Sequence, residues 1–531
     1  MSRRPGRPAA ESGLHQYGGR VPAPTLSRRR LLQAGAAGAL VALGVRGGNS
    51  PALPGAAWKA LASKLSGHLS RPGNPGYAND HQLYNPLFDG VHPAAIAFCA
   101  SPTDVARCIG FARRHGLPLA IRGGRHSYGG YSTTNGLVVD VSTMSRVQVA
   151  GKGRAVVGAG AQLIDIYSGL AQHGVSIPAG SCATVGIAGL TLGGGIGVMD
   201  RLYGLTCDKL ASLELVTAAG EVVRASAASH PDLFWACRGG GGGNFGVVTG
   251  LTFETFPVSE LSLFVLSWPW AAASQVLPAW MDWASRAPDE MWSTCQLTAG
   301  PRGLSPSLRV AGVWAGTPAG AGQELAHLSA AVGRHQPGSR YLGASGFELA
   351  MYVEAGCQGL SEAACHIAGQ YPGGALPRTV EVAKSDIFDR PLGDAGVQAV
   401  IVGIEHRQAE RAMGGVLFDS WGGAINRVAP SETAFVHRRA LASAQYIAML
   451  PAIVGNGTVR SARSWLDEWY KALRPYASGE AYQNYIDPSL PNWAHAYYGE
   501  NLPRLQEVKA KWDPDDVWHF AQSIPLPARN G

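Results

Sequence analysis

The chain has 531 residues, of which 46% are hydrophobic and 15% charged, a composition typical of folded proteins and a length that fits two or three domains. Its net charge of +7 arises within residues 1–57, which hold eight of the 44 basic and one of the 37 acidic residues, so that 36 of each remain. A neutral body without a basic stripe argues against nucleic-acid binding, and seventy glycines without a collagen-like period exclude a fibrous protein.

The first 57 residues carry the features of a targeting segment. Ser27-Arg28-Arg29-Arg30 stands before a weakly apolar stretch, residues 31–45, which is too short for an integral membrane segment. The pattern resembles the twin-arginine export signal of bacteria, which the twin-arginine translocase carries across the membrane with its protein already folded. It predicts a secreted protein that receives its cofactor before export, and a disordered basic arm is the alternative.

The eight cysteines include no Cys-x-x-Cys pair and no cysteine–histidine cluster with zinc spacing, so no metal site is predicted. Cys99 and Cys108 stand among apolar residues and are expected in the core. Cys357 and Cys365 could pair after export, which the sequence leaves open. Cys182 differs from the others because glycine-rich backbone flanks it on both sides.

Between Asp89 and Val258, short β runs alternate with helices and glycine-rich loops. Ser101 followed by Pro102 predicts the start of a helix, and Gly116 predicts its end. The next strand, at 117–121, runs directly into a glycine-rich loop at 122–130. The remaining predicted elements are strands at 137–141 and 155–158, a helix at 161–173, a hairpin of 213–217 with 221–225, and a strand at 247–256.

Residues 258 to about 470 have a different pattern. Helical periodicity at 273–286 and 322–332 alternates with strand-like runs at 307–314 and 399–404. This mixture predicts an α+β domain in which helices cover one side of a mixed sheet. The predicted organisation is a leader at 1–57, a first domain at 75–258, a second domain at 259–475, and a C-terminal segment at 476–531.

One motif invites a misleading interpretation. Residues 241–246 satisfy the G-x-G-x-x-G pattern of dinucleotide-binding folds. No strand precedes them and a β-rich run follows, so the sequence predicts a tight loop and not the fingerprint. Walker A, H-E-x-x-H and G-x-S-x-G motifs do not occur, which removes the usual support for a nucleotide triphosphatase, a zinc protease or an α/β-hydrolase.

Two other glycine-rich loops carry more information. In residues 122–126, backbone N–H groups at a strand end can face an anion while arginine supplies charge. Residues 180–197 contain too few large side chains to form a core, so they must lie against another body, and a large flat cofactor is the simplest one. Taken alone, these loops predict a ligand that contains phosphate.

The two loops together resemble a known family. Arg122-Gly123-Gly124-Arg125-His126-Ser127-Tyr128 is similar to the R-S-G-G-H-S-Y loop of the berberine bridge enzyme and glucooligosaccharide oxidase family, within the p-cresol methylhydroxylase and vanillyl-alcohol oxidase group. Residues 180–197 resemble its G-x-C-P-T-V-G and GGGYG loop, and residues 482–487 and 493–514 resemble its C-terminal block. The resemblance implies an α+β protein with a two-part FAD-binding domain, a substrate domain whose antiparallel sheet is covered by helices, and a C-terminal segment that returns to the FAD-binding domain.

In that family, two covalent bonds usually hold FAD, and their positions match His126 and Cys182. Without the resemblance, a turn-capping histidine and a buried thiol would be the simpler interpretations. The resemblance also implies that the backbone of the first loop cradles the pyrophosphate and that both loops line the cofactor. The implied cofactor contacts are Arg122, Gly123, Gly124, Arg125, Ser127, Ala183, Thr184, Val185, Gly186, Gly189, Gly193, Gly194, Gly246, Val248 and Asn484.

The implied reaction is oxidation of an alcohol, with hydride passing to FAD and the hydroxyl proton passing to a base. Tyr482 matches the family's tyrosine base, Tyr128 matches a tyrosine that borders the substrate, and Gln445 and Asp419 match polar partners of the base more loosely. Valine at position 185 suggests an oxidase that reduces O₂ to hydrogen peroxide. The alternatives are a dehydrogenase with another electron acceptor and a non-catalytic flavin- or carbohydrate-binding protein.

Two positions depart from the family pattern. An arginine, Arg125, stands directly before His126 where the family has glycine, and Ile196 replaces a tyrosine that often lines the substrate pocket. The second departure leaves the choice open between a sugar and a complex natural product as the substrate.

Overall fold

The computed structural model describes residues 53–300 and 304–528, so most of the predicted leader lies outside the described residues. The strands are β1 (His68–Ser70), β2 (Ala95–Phe98), β3 (Leu119–Arg122), β4 (Leu137–Asp140), β5 (Val147–Val149), β6 (Arg154–Gly158), β7 (Val175–Ser176), β8 (Leu210–Val216), β9 (Val222–Ser226), β10 (Val247–Glu254), β11 (Phe256–Pro257), β12 (Leu261–Trp268), β13 (Met291–Ala299), β14 (Ser307–Trp314), β15 (Ser339–Ser345), β16 (Val380–Phe388), β17 (Gly414–Ser420) and β18 (Ala442–Leu450).

The α-helices are distributed along the whole described chain. They are α1 (Gly55–Ala62), α2 (Tyr77–Asp80), α3 (Pro102–His115), α4 (Leu163–Ala171), α5 (Ile187–Leu192), α6 (Asp200–Tyr203), α7 (Pro231–Ala236), α8 (Ala273–Arg286), α9 (Pro318–Val332), α10 (Phe347–Glu354), α11 (Asp394–Ala409), α12 (Ala424–Arg427), α13 (Asn456–Leu473), α14 (Trp493–Tyr498) and α15 (Leu502–Trp512). Within the described residues, none of them is long and apolar enough to cross a membrane.

Two sheets form the first half of the molecule. The first has the order β1-β2-β4-β3, in which β2, β4 and β3 run parallel. The second is antiparallel with the order β5-β6-β10-β8-β9. Because β3 and β4 are parallel, their carboxyl ends lie at the same edge, and Arg122 at the end of β3 stands opposite Asp140 at the end of β4. The loop 122–130 therefore begins at the carboxyl edge of a parallel sheet.

The best-defined local prediction in this half is confirmed. The Ser101 side chain accepts a hydrogen bond from the Asp104 N–H at 3.2 Å, and α3 begins at the next residue. Gly116 ends the helix in the left-handed conformation, with φ of 62°. Cys108 and Ile109 on the inner face of α3 are fully buried, as expected from their spacing.

A seven-stranded antiparallel sheet forms the second half, with the order β15-β12-β14-β13-β17-β18-β16. Helices pack on one face, where the rings of Phe418 and Tyr446 lie against residues of α8 and α13. The alternating residues Asp419 and Gln445 lie on the opposite face and are half-buried. The expected α+β fold, with helices covering an antiparallel sheet, is confirmed, and the uncovered face can contribute to a site.

The prediction of a strand at 399–404 is wrong, because these residues lie inside α11. Val397, Val400, Ile404 and Arg407 are buried at spacings of three and four residues, which is the periodicity of one helical face. A six-residue apolar run does not distinguish a strand from the buried part of a helix, and the length of the whole element decides between them.

Four of the cysteines form two close pairs. Cys99 and Cys108 are fully buried with their sulfur atoms 3.9 Å apart, which confirms that they belong to the core. Cys357 and Cys365, whose pairing the sequence left open, form a disulfide with a Cα–Cα distance of 5.8 Å. Both are fully buried and pack against Ala183. The disulfide therefore closes a loop directly beside the second glycine-rich loop.

The C-terminal segment packs against the first half of the chain. The Ile524 N–H donates to Asn244 Oδ1 at 2.9 Å, and Lys509 Nζ donates to the Asn244 carbonyl at 3.1 Å. Asn244 belongs to the glycine-rich stretch 239–246, which is followed by β10. No strand leads into this stretch, in agreement with its interpretation as a tight loop.

Candidate active site

The two glycine-rich loops touch each other at Gly124 and Gly186. A Cβ on Gly124 would lie 2.1 Å from the Gly186 nitrogen, and a Cβ on Gly186 would lie 2.4 Å from the Gly124 nitrogen. Two residues with side chains could not approach so closely. This contact brings His126, two residues beyond Gly124, close to the loop that carries Cys182.

The His126 ring is fixed on two sides. Its Nε2 lies 2.8 Å from Thr184 Oγ1, and the Tyr84 ring stacks on it with centroids 4.2 Å apart and an interplanar angle of 20°. Burial lowers the pKa of His126 to about 3, so the imidazole is neutral. No hydrogen bond reaches Nδ1 from any residue in the described part of the chain, so this nitrogen is the one available to a ligand.

Cys182 is accessible to solvent. Burial raises the pKa of its thiol to about 11, and the carboxyl groups of Glu381 and Asp419 raise it further. Glu381 and Asp419 lie on β16 and β17, so the thiol faces the space between the second glycine-rich loop and the seven-stranded sheet, which is called the cleft below. Cys182 and the half-buried His126 are therefore both accessible to a ligand.

The side chains of Arg122 and Arg125 contact Asp140, whereas the sequence suggested that arginine in the first loop supplies charge to a bound anion. Arg122 Nε pairs with Asp140 at 2.5 Å, and Arg125 Nη2 lies 3.8 Å from the same carboxylate. Burial alone would raise the pKa of Asp140, but the two guanidinium groups lower it below its usual value. Both side chains point toward Asp140 and the Phe98 ring, so the contacts they can offer a cofactor come from their backbone.

Arg125 also has an unusual backbone conformation. Its φ is 66°, in the left-handed region that glycine adopts without strain, and the related family has glycine there. The Arg125 carbonyl accepts a hydrogen bond from the Tyr84 N–H at 3.1 Å, and its Nη1 lies 3.4 Å from the Asn79 and Gln82 carbonyls. The arginine therefore holds the segment that places Tyr84 over His126.

The second loop meets the C-terminal segment at Asn484. A Cβ on Gly193 would lie 2.0 Å from Asn484 Oδ1, so a side chain there would displace Asn484. Asn484 Nδ2 donates to the Leu190 carbonyl at 2.9 Å and to Tyr482 Oη at 2.8 Å. The Gly195 N–H donates to the same Tyr482 oxygen at 3.0 Å. Two donors therefore converge on this phenolic oxygen.

Tyr482 is fully buried between the second loop and the seven-stranded sheet. Its backbone N–H donates to Ser385 Oγ on β16 at 3.0 Å. Burial raises the pKa of Tyr482 above its usual value, and hydrogen bonds from Asn484 and Gly195 oppose that rise. No lysine or arginine is paired with this hydroxyl in the described residues, so the two donors are what stabilises a negative charge on it.

The uncovered face of the sheet supplies the other predicted polar residues. Gln445 Nε2 donates to Tyr128 Oη at 2.8 Å, which joins β18 to the first glycine-rich loop. Asp419 on β17 stands opposite Thr294 in the sheet register. Burial raises the pKa of Asp419 to about 7, although the Thr294 hydroxyl counteracts this. Of the four predicted catalytic residues, Tyr128 and Gln445 are thus in direct contact.

Tyr84 and Glu381 contact each other beside this cleft, and the sequence did not predict them because neither belongs to a motif. Tyr84 Oη donates to Glu381 Oε1 at 3.0 Å, and Asn85 Nδ2 donates to the Glu381 carbonyl at 2.7 Å. Burial raises the pKa of Glu381 to about 7, with hydrogen bonds from Tyr84 and Tyr128 opposing the shift. Nearly three hundred residues separate Tyr84 from Glu381 in the chain, so no local pattern could have joined them.

The remaining predicted cofactor residues occupy several environments. Ser127 Oγ accepts the Tyr131 N–H at 3.0 Å and stabilises a turn. Gly189 is exposed, with nothing within 4 Å of where a Cβ would lie, whereas a Cβ on Gly194 would contact the Phe435 ring at 2.6 Å. Gly246 and Val248 line a small cavity with Leu192 and Asn244. Gly123 is half-buried, Val185 packs partly buried against the core, and Ala183 is buried.

These features fit a large cofactor such as FAD. The exposed backbone at Gly189 and Gly242 forms a strip without side chains, because a Cβ on Gly242 would lie 3.9 Å from the Gly189 Cα. A neutral imidazole nitrogen and an accessible thiol face the same cleft. Within residues 53–300 and 304–528, no group of histidine, cysteine, aspartate or glutamate side chains is arranged to hold a metal.

Comparison with known proteins agrees with this geometry. Residues 93–226 match the family described as "FAD binding domain", and residues 481–525 match "Berberine and berberine like". The uncharacterised FAD-linked oxidoreductase YgaK of Bacillus subtilis is 35% identical over 473 residues, which cover 87% of this chain and 98% of that protein. Chitooligosaccharide oxidase of Gibberella zeae is 28% identical, with coverage of 85% and 91%. The solved structure of BBE-like 1 from Physcomitrella patens is 31% identical, with coverage of 88% and 99% and a TM-score of 0.79.

The fold and the cleft define a flavin-dependent oxidoreductase. The chain belongs to the berberine bridge enzyme-like family of FAD-linked oxidoreductases. The sequence-based predictions of the family, the fold, FAD binding and an enzymatic function are thereby confirmed.

Proposed function

We propose that the protein is a secreted oxidase that converts an alcohol group of a carbohydrate or a complex natural product to a carbonyl group and passes the electrons to O₂, forming hydrogen peroxide. When bound, FAD supplies the hydride-accepting chemistry. The observation that carries this proposal is the phenolic oxygen of Tyr482, which two hydrogen-bond donors hold beside the second glycine-rich loop. The relative that acts on chitooligosaccharides supports a substrate with hydroxyl groups.

We infer that His126 and Cys182 hold the flavin covalently. The Cys182 thiol is accessible to solvent, the His126 imidazole is neutral, and its Nδ1 has no hydrogen-bond partner among the described residues. A neutral imidazole has a lone pair that can form a bond, whereas a protonated ring has none. The backbone of residues 122–127 and the glycines of the second loop would lie along the rest of the cofactor.

Tyr482 is the proposed base for the substrate hydroxyl. Gly195 and Asn484 would stabilise a phenolate by donating two hydrogen bonds, which opposes the rise in the pKa of Tyr482 that burial causes. Tyr128, oriented by Gln445, borders the same cleft, and Asp419 supplies a carboxyl group on the sheet face. These three side chains would orient the substrate. Val185 is in keeping with an enzyme that admits O₂.

Intact-mass spectrometry of denatured protein tests the cofactor assignment. Wild-type protein should retain one FAD after acid treatment, His126→Ala and Cys182→Ala should each retain it through the other bond, and the double variant should release it. Exposed His173→Ala and buried Cys295→Ala are matched controls that should behave as wild type. A bare polypeptide mass for the wild type would contradict covalent attachment.

The reaction is tested by screening purified protein for hydrogen peroxide release. The panel should contain oligosaccharides as one group and glycosylated or polycyclic alcohols as the other, so that the two proposed substrate classes are compared directly. Peroxide formed in proportion to carbonyl product would support an oxidase. Flavin reduction without peroxide would indicate another electron acceptor, and ligand binding without flavin reduction would indicate a non-catalytic protein.

A further inference from the structure

We propose that Thr184 is a positioning residue for covalent attachment of the flavin: its hydroxyl oxygen accepts a hydrogen bond from Nε2–H of His126 and so keeps Nδ1 free to form the bond. The inference rests on the proposed function, in which His126 carries the flavin. It concerns how the bond is made and not the later oxidation of substrate.

The position of Thr184 follows from the contact between the two loops. His126 lies two residues after Gly124, Thr184 lies two residues before Gly186, and those glycines touch each other. The Thr184 side chain is buried, and its Oγ1 lies 2.8 Å from His126 Nε2. This distance fits a hydrogen bond with good geometry. The close approach of the glycines therefore sets the distance between the hydroxyl and the imidazole.

The Tyr84 ring also restrains the His126 imidazole by covering one of its faces. Tyr84 stacks on its face, and Tyr84 itself is fixed by Glu381 at 3.0 Å and by the Arg125 carbonyl at 3.1 Å. Rotation of the His126 ring would break both the stacking and the bond to Thr184. With one face covered and Nε2 engaged, Nδ1 is the ring nitrogen left to react.

The chemistry requires a defined tautomer. A neutral imidazole carries one N–H and one lone pair, and because a hydroxyl can donate or accept, Thr184 Oγ1 is assigned as the acceptor and Nε2 as the nitrogen that bears the proton. If Nε2 bears it, the Nδ1 lone pair forms the bond to the 8α carbon of the flavin. One C–H bond of that methyl group breaks, its proton passes to solvent, and its electron pair would reduce the flavin; O₂ would then take up two electrons and two protons, forming hydrogen peroxide.

Thr184 also assists as the bond forms. The imidazole becomes positively charged when Nδ1 is alkylated, and Nε2–H then donates to Thr184 Oγ1 as a charged donor, which makes the hydrogen bond stronger. The Nε2 proton is later released to solvent. A residue without a hydroxyl at position 184 would lose both the tautomer preference and this stabilisation.

The test uses full-length protein with Cys182→Ala, in which only the His126 bond can form. Thr184→Val keeps the shape of the side chain and removes the hydroxyl, and Thr184→Ser restores the hydroxyl. Thr191→Val is the matched control, because Thr191 is a buried threonine of the same loop whose hydroxyl donates to the Ile187 carbonyl. Each protein is incubated with FAD, total bound FAD is measured before denaturation, and covalent FAD is followed over time by intact mass.

We expect Thr184→Val to bind FAD as the parent does and to form the covalent bond about tenfold more slowly, the effect of losing one hydrogen bond. Thr184→Ser and Thr191→Val should match the parent. Equal rates for Thr184→Val and the parent would overturn the inference, as would loss of FAD binding before denaturation, which would make Thr184 a binding residue. Absence of covalent FAD in the parent itself would instead refute the proposed attachment through His126.

Discussion

Tyr482→Phe tests the proposed base with the smallest possible change. The substitution removes one oxygen atom, which accepts hydrogen bonds from the Gly195 N–H at 3.0 Å and from Asn484 Nδ2 at 2.8 Å. The ring packs edge-on against Tyr485 and Phe435, with centroid distances of 4.9 and 6.1 Å, and these contacts do not involve the oxygen. We therefore expect the ring and the cleft to keep their shape.

Two effects of the substitution differ in size and can be measured separately. Loss of a general base typically lowers the rate by about 10²–10⁴-fold. The buried Gly195 N–H loses its acceptor, which should lower the free energy of unfolding by about 1–3 kcal/mol. Asn484 keeps its bond to the Leu190 carbonyl at 2.9 Å, so its amide is not left without a partner.

The assay is anaerobic flavin reduction by a confirmed substrate in a stopped-flow instrument, with thermal unfolding measured in parallel. Tyr446→Phe is the control, because Tyr446 is a buried tyrosine on the helix-covered face of the sheet and bonds Asp386 at 3.2 Å. It should lose comparable stability and keep the wild-type rate of reduction. If Tyr482→Phe reduces its flavin within a few fold of wild type, Tyr482 is structural and Tyr128 or Tyr485 becomes the candidate base.

Two further predictions concern the cysteine bond and export. Because burial and nearby carboxyl groups raise the pKa of Cys182 to about 11, its thiolate fraction is only about 10⁻⁴ at pH 7 and rises tenfold per pH unit. In His126→Ala protein, bond formation through Cys182, followed by intact mass, should accelerate between about pH 7 and pH 10, and a flat profile would contradict the role of the thiolate. Replacing Arg28 and Arg29 by lysine should retain the protein in the cytoplasm, as measured by cell fractionation, whereas unchanged export would favour a disordered basic arm.

Local sequence signals determined the elements whose capping or periodicity is strong. The helix at 273–286 and the strand at 307–314 agree with the structure in both bounds, and the cap at Ser101 fixes the start of α3. The run at 399–404 failed because its apolar residues fit a short strand and one face of a long helix equally well. Elements with a capping residue or a clear periodicity were predicted correctly, whereas the apolar run at 399–404, which arises from burial alone, was not.

The candidate site likewise contains residues that a sequence motif marks and residues that no motif marks. His126 and Cys182 could be identified from the sequence because each lies in a glycine-rich loop whose residues follow a family motif. Glu381 and Tyr84 could not, since one lies on a β strand and the other in an irregular segment, and neither carries a motif. Which alternating residues of β16 face the cleft depends on sheet register and on the helices that cover the opposite face.

The sequence by itself therefore determined the family and the flavin cofactor, because the glycine-rich loops and the few reactive residues that carry the family motifs are local properties of the chain. The tertiary structure decided how those loops meet. The contact of Gly124 with Gly186 sets His126 beside Thr184, and the contact of Gly193 with Asn484 sets Tyr482 beside Gly195. Such distances arise from close packing between segments far apart in the chain, and packing of this kind exists only once the whole core has formed.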